Sequence, residues 1–436
     1  MAFCTQELFP FPACKHRKVK VRFDGGSVTS DGGGLLLRQA DRLLRLTEQA
    51  AGLLHDPRRK ASCDHRVVDL VRQRVYGLAL GYEDLNDHQT LRHDLALQTA
   101  VNRTEELGSP STLCRFENRM GKAEAWKLNE LLVETFIASF KTAPQELILD
   151  FDATDDRVHG GQEGRFFHGY YDHYCFLPLY VFCGEQMLVS YLRPSNIDGA
   201  KHSLGILKLL VRRLREEWPE VRITFRADSG FCRWKLLRWC DRHDVGYIVG
   251  LAKNKRIKRL AAPWIEQAEA QFEQSGEKQR LFATLSYGAR TWDKERRVIV
   301  KAEHGPQGSN PRFVVTNLFH DPEEGYGCYC ERGDMENRIK EQQLDLFSDR
   351  TSAHGWWANQ FRMLQSALAY VLLQTIRRLG LKGTELAKAQ CNTIRLKLLK
   401  IGAVVTRNTR TIRLHLSSAH PYQDLFWLVA QRLAPG

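Results

Sequence analysis

Two stretches of the chain alternate apolar and polar residues and then end in an aspartate. In LILDFDAT, Leu147, Leu149 and Phe151 fall on one side of a strand, and Ile148, Asp150 and Asp152 on the other. In VRITFRAD, Ile223, Phe225 and Ala227 oppose Thr224, Arg226 and Asp228. A small hydroxyl residue follows each terminal acid, Thr154 two positions after Asp152 and Ser229 directly after Asp228. A carboxylate at a strand end is held by rigid backbone while the end itself opens into a cleft. A third acid, Glu336, lies in RGDMENRIKE, whose mixed charges suit a helix, and it could close a cluster of three. Carboxylates at close quarters repel, so such a cluster stays ionised only with cations between its members. Mg²⁺ is the natural occupant, because it prefers oxygen ligands and keeps waters that a substrate phosphate can replace. Two such ions about 4 Å apart would activate a nucleophile and stabilise the leaving oxygen of a phosphodiester. With 51 acidic residues in the chain, spacing alone does not choose among them. Asp150 shares the face of Asp152 and competes with it, whereas Asp155 and Asp156 read as turn residues.

The totals suit that chemistry. A chain of 436 residues with 43% hydrophobic composition has room for two to four structural units with real cores and is not a disordered protein. Its formal net charge of +13 favours polyanionic partners, nucleic acid first. The opening MAFCTQELFPFPACKHRK lacks the cationic start and continuous apolar run of an export signal. The most apolar later run, MLQSALAYVLLQTI, is broken by Gln365, Ser366 and Gln374, so the expected location is the cytoplasm. Eleven cysteines without a repeated C-x-x-C read as free thiols, because structural zinc needs four convergent ligands that Cys328, Cys330, Cys63 and His65 do not supply as paired motifs.

The elements that must position the acids follow from texture. A basic arm, KHRKVKVR, leads through the turn region DGGSVTSDGGG into helical spacing from Leu35 to Leu54, and further helical segments run from Val67 to Phe140. SPSTLCRFENRM reads as a helix capped by Ser109 or Ser111 with Pro110 in its first turn; Arg115 and Arg119 on it suit either a DNA-reading helix or an ordinary surface helix. From Leu147 the order becomes strand, hairpin (YCFLPLYVFC and QMLVSYLRP), helix, strand, helix, strand, a mixed α/β order favouring one sheet with helices packed on it. RLFATLSYG, RRVIVKAEH and RFVVTNLF then read as strands of a β-rich insertion. An amphipathic helix from Trp356 to Arg378, a basic helix, a hairpin and a last helix complete the chain.

Taken in order, LDFDATDD, EGRFFHGYYDHYCFLPLYVF, RADSGF and RGDMENRIKE resemble the DDE transposases of bacterial insertion sequences, most closely the IS-thirteen-eighty group, over nearly the whole chain. The resemblance implies an α/β fold: a ribonuclease-H-like core, a mixed sheet with flanking helices, interrupted by a β-rich insertion and preceded by an N-terminal helical DNA-binding region. It implies a DNA-end-binding region at 1–140, the first part of the core at 141–251, the insertion at 252–328, the last part of the core at 329–380 and a C-terminal region at 381–436. It also selects Asp152 over Asp150, with Asp228 and Glu336, as the catalytic acids that hold two Mg²⁺ ions, Mn²⁺ being the expected substitute. Relatives carry a Tyr, Arg, Glu, Lys signature around the third acid. Tyr329, Arg332 and Glu336 match it, but Gln343 stands at the Lys position, and Lys340, one helical turn after Glu336, is the candidate to replace it. Tyr329, Arg332 and Lys340 are accordingly expected to contact DNA.

The implied activity is that of a transposase that binds the inverted ends of an insertion sequence, cuts beside them and joins the 3′ ends to target DNA, as a homodimer in the DNA complex. The alternatives are a metal-dependent nuclease without strand transfer and an inactive, transposase-derived DNA-binding protein. Trp292 could stack on an unpaired base or pack within the insertion. His159, His168 and His173 read as structural or phosphate-contacting, and Trp356 and Trp357 as core.

Overall fold

The computed structural model describes residues 11–59 and 63–434, so the first ten residues, on which part of the export reading rests, lie outside the described residues. The strands are β1 (Phe11–Cys14), β2 (Arg17–Val19), β3 (Val28–Thr29), β4 (Glu146–Ala153), β5 (Asp156–Arg157), β6 (Phe166–His168), β7 (His173–Phe176), β8 (Leu179–Cys183), β9 (Gln186–Tyr191), β10 (Arg222–Ala227), β11 (Gly246–Leu251), β12 (Gln279–Tyr287), β13 (Arg296–Gly305), β14 (Gly308–Ser309), β15 (Arg312–Thr316), β16 (Ala403–Arg407) and β17 (Ile412–Leu416). The helices are α1 (Leu35–Leu44), α2 (Leu46–Leu53), α3 (Val67–Ala79), α4 (His88–Leu91), α5 (Leu95–Val101), α6 (Pro110–Asn118), α7 (Lys122–Ala138), α8 (Ser203–Glu217), α9 (Trp234–Arg242), α10 (Lys255–Leu260), α11 (Ala262–Ser275), α12 (Pro322–Cys330), α13 (Gly333–Lys340), α14 (Trp356–Thr375), α15 (Cys391–Ile394) and α16 (Gln423–Arg432).

One mixed sheet organises the molecule, with strand order β12-β13-β15-β11-β10-β4-β8-β9 and β14 paired to β13. β4, β10 and β11 run parallel, while β8 joins β4, and β15 joins β11, antiparallel. The strands of the β-rich interval 252–328 therefore continue the same sheet through the β11–β15 pairing. Leu147, Leu149, Phe151, Ile223, Phe225 and Ala227 face helices α7, α8 and α9 in one apolar core. The opposite face is covered too, by α12 over Ile248, Ile299 and Val314 and by α13 through Met335 and Ile339. That second cover is why the polar sides of β4 and β10 are buried, with Asp150 3% and Arg226 6% exposed.

Three local differences from the sequence expectation have physical causes. YCFLPLYVFC is two strands: Pro178 offers no N–H to a ladder, and β7 turns away to pair with β5 and β6 in a small separate sheet. The run from Leu35 to Leu54 is two helices, because Arg45 takes a left-handed conformation (φ 53°) between α1 and α2. Helix α14 is buried on nearly all sides and not only along one stripe, and some of its polar residues bond internally. Gln360 accepts from the Leu192 amide (2.7 Å) and donates to the Ser190 carbonyl (3.0 Å), and Tyr370 donates to the Glu185 carbonyl (2.7 Å). Around α14 the N-terminal helices α1–α3 and α6 share one core with Ile394, Leu398, Phe426 and Val429, and β3 adds to the C-terminal hairpin by pairing with β16. The cap of α6 matches its sequence: Ser109 Oγ accepts from the Thr112 amide (3.3 Å), with Pro110 in the first turn. Among the described residues no helix is long and apolar enough to cross a membrane.

Candidate active site

The parallel register sets the two aspartates side by side. Asp150 pairs with Arg226 and Phe151 with Ala227, so one residue further, where the strands end, Asp152 comes beside Asp228. The two neighbouring acids on β4 have different fates. Arg226 binds Asp150 through both oxygens, at 2.6 and 2.9 Å, and reaches the Cys328 carbonyl (2.6 Å) and the Glu331 carboxylate (3.1 Å). Asp150 is thereby consumed in a buried bidentate pair that ties β4 and β10 to the end of α12. The sequence pointed to Asp150 only as a competitor and missed Arg226; the signal was there, because parallel pairing of the two motifs places Arg226 opposite it.

Asp152 has no such partner in the sheet. Its Oδ1 accepts from the Ala153 amide (2.9 Å) and its Oδ2 meets Arg332 Nη1 at 3.2 Å. Burial raises its pKa to about 6; Arg332 opposes that rise, and Asp228 and Glu336 add to it. Asp228 closes the turn Ser229–Phe231 by accepting from the Gly230 amide (2.9 Å), which fixes its carboxylate at the strand end. Glu336 sits in the first turn of α13, with Asp334, while Arg338 and Lys340 fill the last turn; both ends complement the helix dipole. Met335 and Ile339, one turn apart, bury the opposite stripe and aim Glu336 outward.

Arg332 holds the centre. It precedes α13, and its guanidinium spans Asp152 (3.2 Å) and Glu336 (2.8 Å). Burial lowers its pKa, but Asp152, Tyr329, Glu336 and Asp228 together outweigh that and raise it. Tyr329, at the end of α12, rests on Ile248, Ile299 and Val314. Its hydroxyl has room only because Gly250 lacks a side chain: a Cβ there would come within 2.6 Å of Tyr329 Oη and 2.9 Å of the Ser229 amide. Burial raises the Tyr329 pKa, Arg332 lowers it and Asp228 raises it again. Lys340 is exposed. Gln343, in the π-helical turn Glu341–Asp345 that follows α13, turns back to the site and donates to the Asp155 carbonyl (2.9 Å). That turn is anchored by the buried Glu341–Arg377 pair (2.6 Å).

Three of the other candidates have structural partners. His173 Nε2 meets Asp155 at 2.8 Å, Trp292 packs edge-on against Tyr287 (5.6 Å) with Arg296 over it (5.5 Å), and Trp356 packs edge-on against Phe176 (5.4 Å). As a donor set, three carboxylates, on β4, just past β10 and on α13, are the oxygen ligands that a hard divalent cation takes. In the conformation described, the Arg332 guanidinium is the cation between Asp152 and Glu336, and among the described residues no three His, Cys, Asp or Glu side chains stand close enough to hold a metal.

A family model described as transposase DDE domain group 1 matches residues 11–435. No curated protein matches the chain. Among solved structures the chain is similar to a piggyBac transposase synaptic complex with hairpin DNA, determined by cryo-EM, at 10% identity and a TM-score of 0.42, over 84% of this chain and 79% of that one.

Proposed function

We propose, because this chain belongs to the transposase DDE domain group 1 family, that it is a DNA transposase that cleaves at the ends of a mobile element and joins the freed 3′ ends to target DNA. The observation that carries this reading is the Arg332 guanidinium bridging Asp152 and Glu336, with Asp228 at the end of the strand beside Asp152. The strand order β9-β8-β4-β10-β11, antiparallel on one side of β4 and parallel on the other, supports a ribonuclease-H-like core for residues 141–251 and 329–380. Residues 1–140 are assigned to end recognition, 252–328 to the β-rich extension and 381–436 to closing the helical core.

Asp152, Asp228 and Glu336 would hold the divalent ions, Mg²⁺ or Mn²⁺. Bound there, two ions would supply activation of water or a 3′ hydroxyl and neutralisation of charge on the leaving oxygen. The chain's own residues set the stage for that. With those carboxylates taken up by a divalent ion, Arg332 would be free to offer its fork to a DNA phosphate in two parallel hydrogen bonds. Tyr329, braced against Gly250 and the apolar patch beneath it, orients Arg332, and Lys340 extends the phosphate-binding surface one turn along α13. A homodimer pairs the two ends.

Purified protein, Mg²⁺, labelled DNA carrying the element's ends and a target plasmid form the decisive assay. Joined product supports the reading, cleavage without joining favours a nuclease, and a mobility shift alone favours an inactive binder. Asp152→Asn, Asp228→Asn and Glu336→Gln should each lower joining by about 10³-fold, the effect of losing several kcal/mol of metal-assisted stabilisation. Full joining by Asp152→Asn would overturn the assignment.

A further inference from the structure

The acids occupy only one half of the sheet, and the other half carries charge that the chemistry above does not use. The register across the sheet defines a row. Arg226 lies beside Ile248, which brings Asp228 next to Gly250; Gly250 pairs with Val314, and Val314 with Ile299. Ile248, Val314 and Ile299 face α12, so this row lies on the side of the sheet where Tyr329 and the carboxylates are. One pleat further towards the same edge, and on the same side, Arg312 of β15 stands directly opposite Lys301 of β13. Lys253, just past the end of β11, donates to Asn310 Oδ1 (3.0 Å), and Lys258 follows on α10.

Like charges opposite one another in a ladder destabilise it. Partial desolvation and then the fields of Arg312, Lys258 and Lys301 depress the Lys253 pKa, the mark of cations gathered without enough counter-charge. The acid facing the group is Glu303, at 3.0 Å from Lys301, and it is shared with Lys278 (3.1 Å) and Arg280 (2.9 Å). Lys301 also lies over the Tyr326 ring (5.3 Å), while Lys253, Lys258 and Arg312 are exposed.

We infer that Lys253, Lys258 and Arg312 form a phosphate-binding row that holds the backbone of a DNA strand leaving the carboxylate site across the β11–β15 edge, while buried Lys301, paired with Glu303, stays structural. The inference rests on the proposed phosphodiester chemistry and adds the path of the substrate. Neighbouring strands are about 5 Å apart and the chain rises about 3.4 Å per residue, so Arg312, two strands across and two residues along from the Asp228 position, is about 12 Å away. At a rise of about 3.4 Å per nucleotide along a duplex, Arg312 meets a phosphate roughly three to four nucleotides from the reacting one.

Binding of the full chain to a fluorescently labelled duplex with a single-stranded overhang, measured by anisotropy in chelator over a series of salt concentrations, tests the row. The Lys253→Ala, Arg312→Ala double variant should lower the slope of log affinity against log salt by about two, one for each phosphate that the protein then leaves un-neutralised, with unchanged thermal unfolding. Arg312→Lys alone should leave the slope as in the unsubstituted chain. Equal affinity and equal slope for the double variant would overturn the inference. Cleavage by the unsubstituted chain in Mg²⁺ is followed in parallel, so that the two readings fail separately: absent cleavage with the reduced slope still supports the row, and normal cleavage with an unreduced slope removes it.

Discussion

Asp152 and Asp150 are two residues apart on one strand face, yet they do opposite things. Asp150 is paired with Arg226 of the neighbouring strand, whereas Asp152 is paired with Arg332, which precedes α13. Because burial sets the Asp152 pKa near 6, above its unfolded value, its ionised form is disfavoured by the fold. Stability tied to this group is present below about pH 4 and is lost as pH rises through about 6. In metal-free, chelated buffer Asp152→Asn should therefore stabilise the protein by roughly 2–3 kcal/mol above pH 6 and by nothing near pH 4. Thermal unfolding of both forms across that range checks the sign; a gain at pH 4 equal to that at pH 7 would contradict it. Arg226 makes the complementary case. Arg226→Met leaves Asp150 buried and unpaired and should cost about 3–5 kcal/mol, whereas Asp150→Leu with Arg226→Met should recover most of that loss in chemical denaturation.

At the scale of elements, three strand ends and two helices build the site, and their fit is closest at Gly250. Gly250→Ala would push its new methyl against Tyr329 Oη and the Ser229 amide. Overpacking of this kind costs about 1–3 kcal/mol, so the variant should remain folded. Cleavage should fall far more than DNA binding does, since Tyr329 and the Asp228 turn are both displaced; equal turnover in the two proteins would remove Tyr329 from the site. The aspartate-ending strands were legible from alternation alone, whereas Glu336 was singled out from neighbouring Asp334 only by the resemblance of its motif. The split at Pro178 was visible as a residue without an N–H, but not its consequence, since only pairing shows that β7 belongs to a different sheet. The π-helical turn Glu341–Asp345 left no mark in the sequence; it depends on Arg377, contributed by a distant part of the chain.

At the scale of the molecule, the first and last parts of the chain are one structure. β3 pairs with β16, and Ile394, Leu398 and Val429 complete the core around α14, Leu36 and Leu70. A chain truncated before Ala403 loses β16, β17 and α16 together and should not leave a stable remainder: calorimetry should show loss of the main transition and not a small shift in its midpoint. Retention of a cooperative transition near the original temperature would mean that these elements are a separable appendage. By itself the sequence determined the strand and helix types, the acids available at strand ends, the basic balance and the family motifs, because each depends on local alternation or on residue identity. Only the tertiary structure decided which of two same-face aspartates is locked to Arg226, that Arg332 lies between Asp152 and Glu336, and that the cations of β13 and β15 share the edge and face of the acids. Those outcomes depend on strand register and on what covers each face of the sheet, and both are set by packing and pairing between residues far apart in the chain.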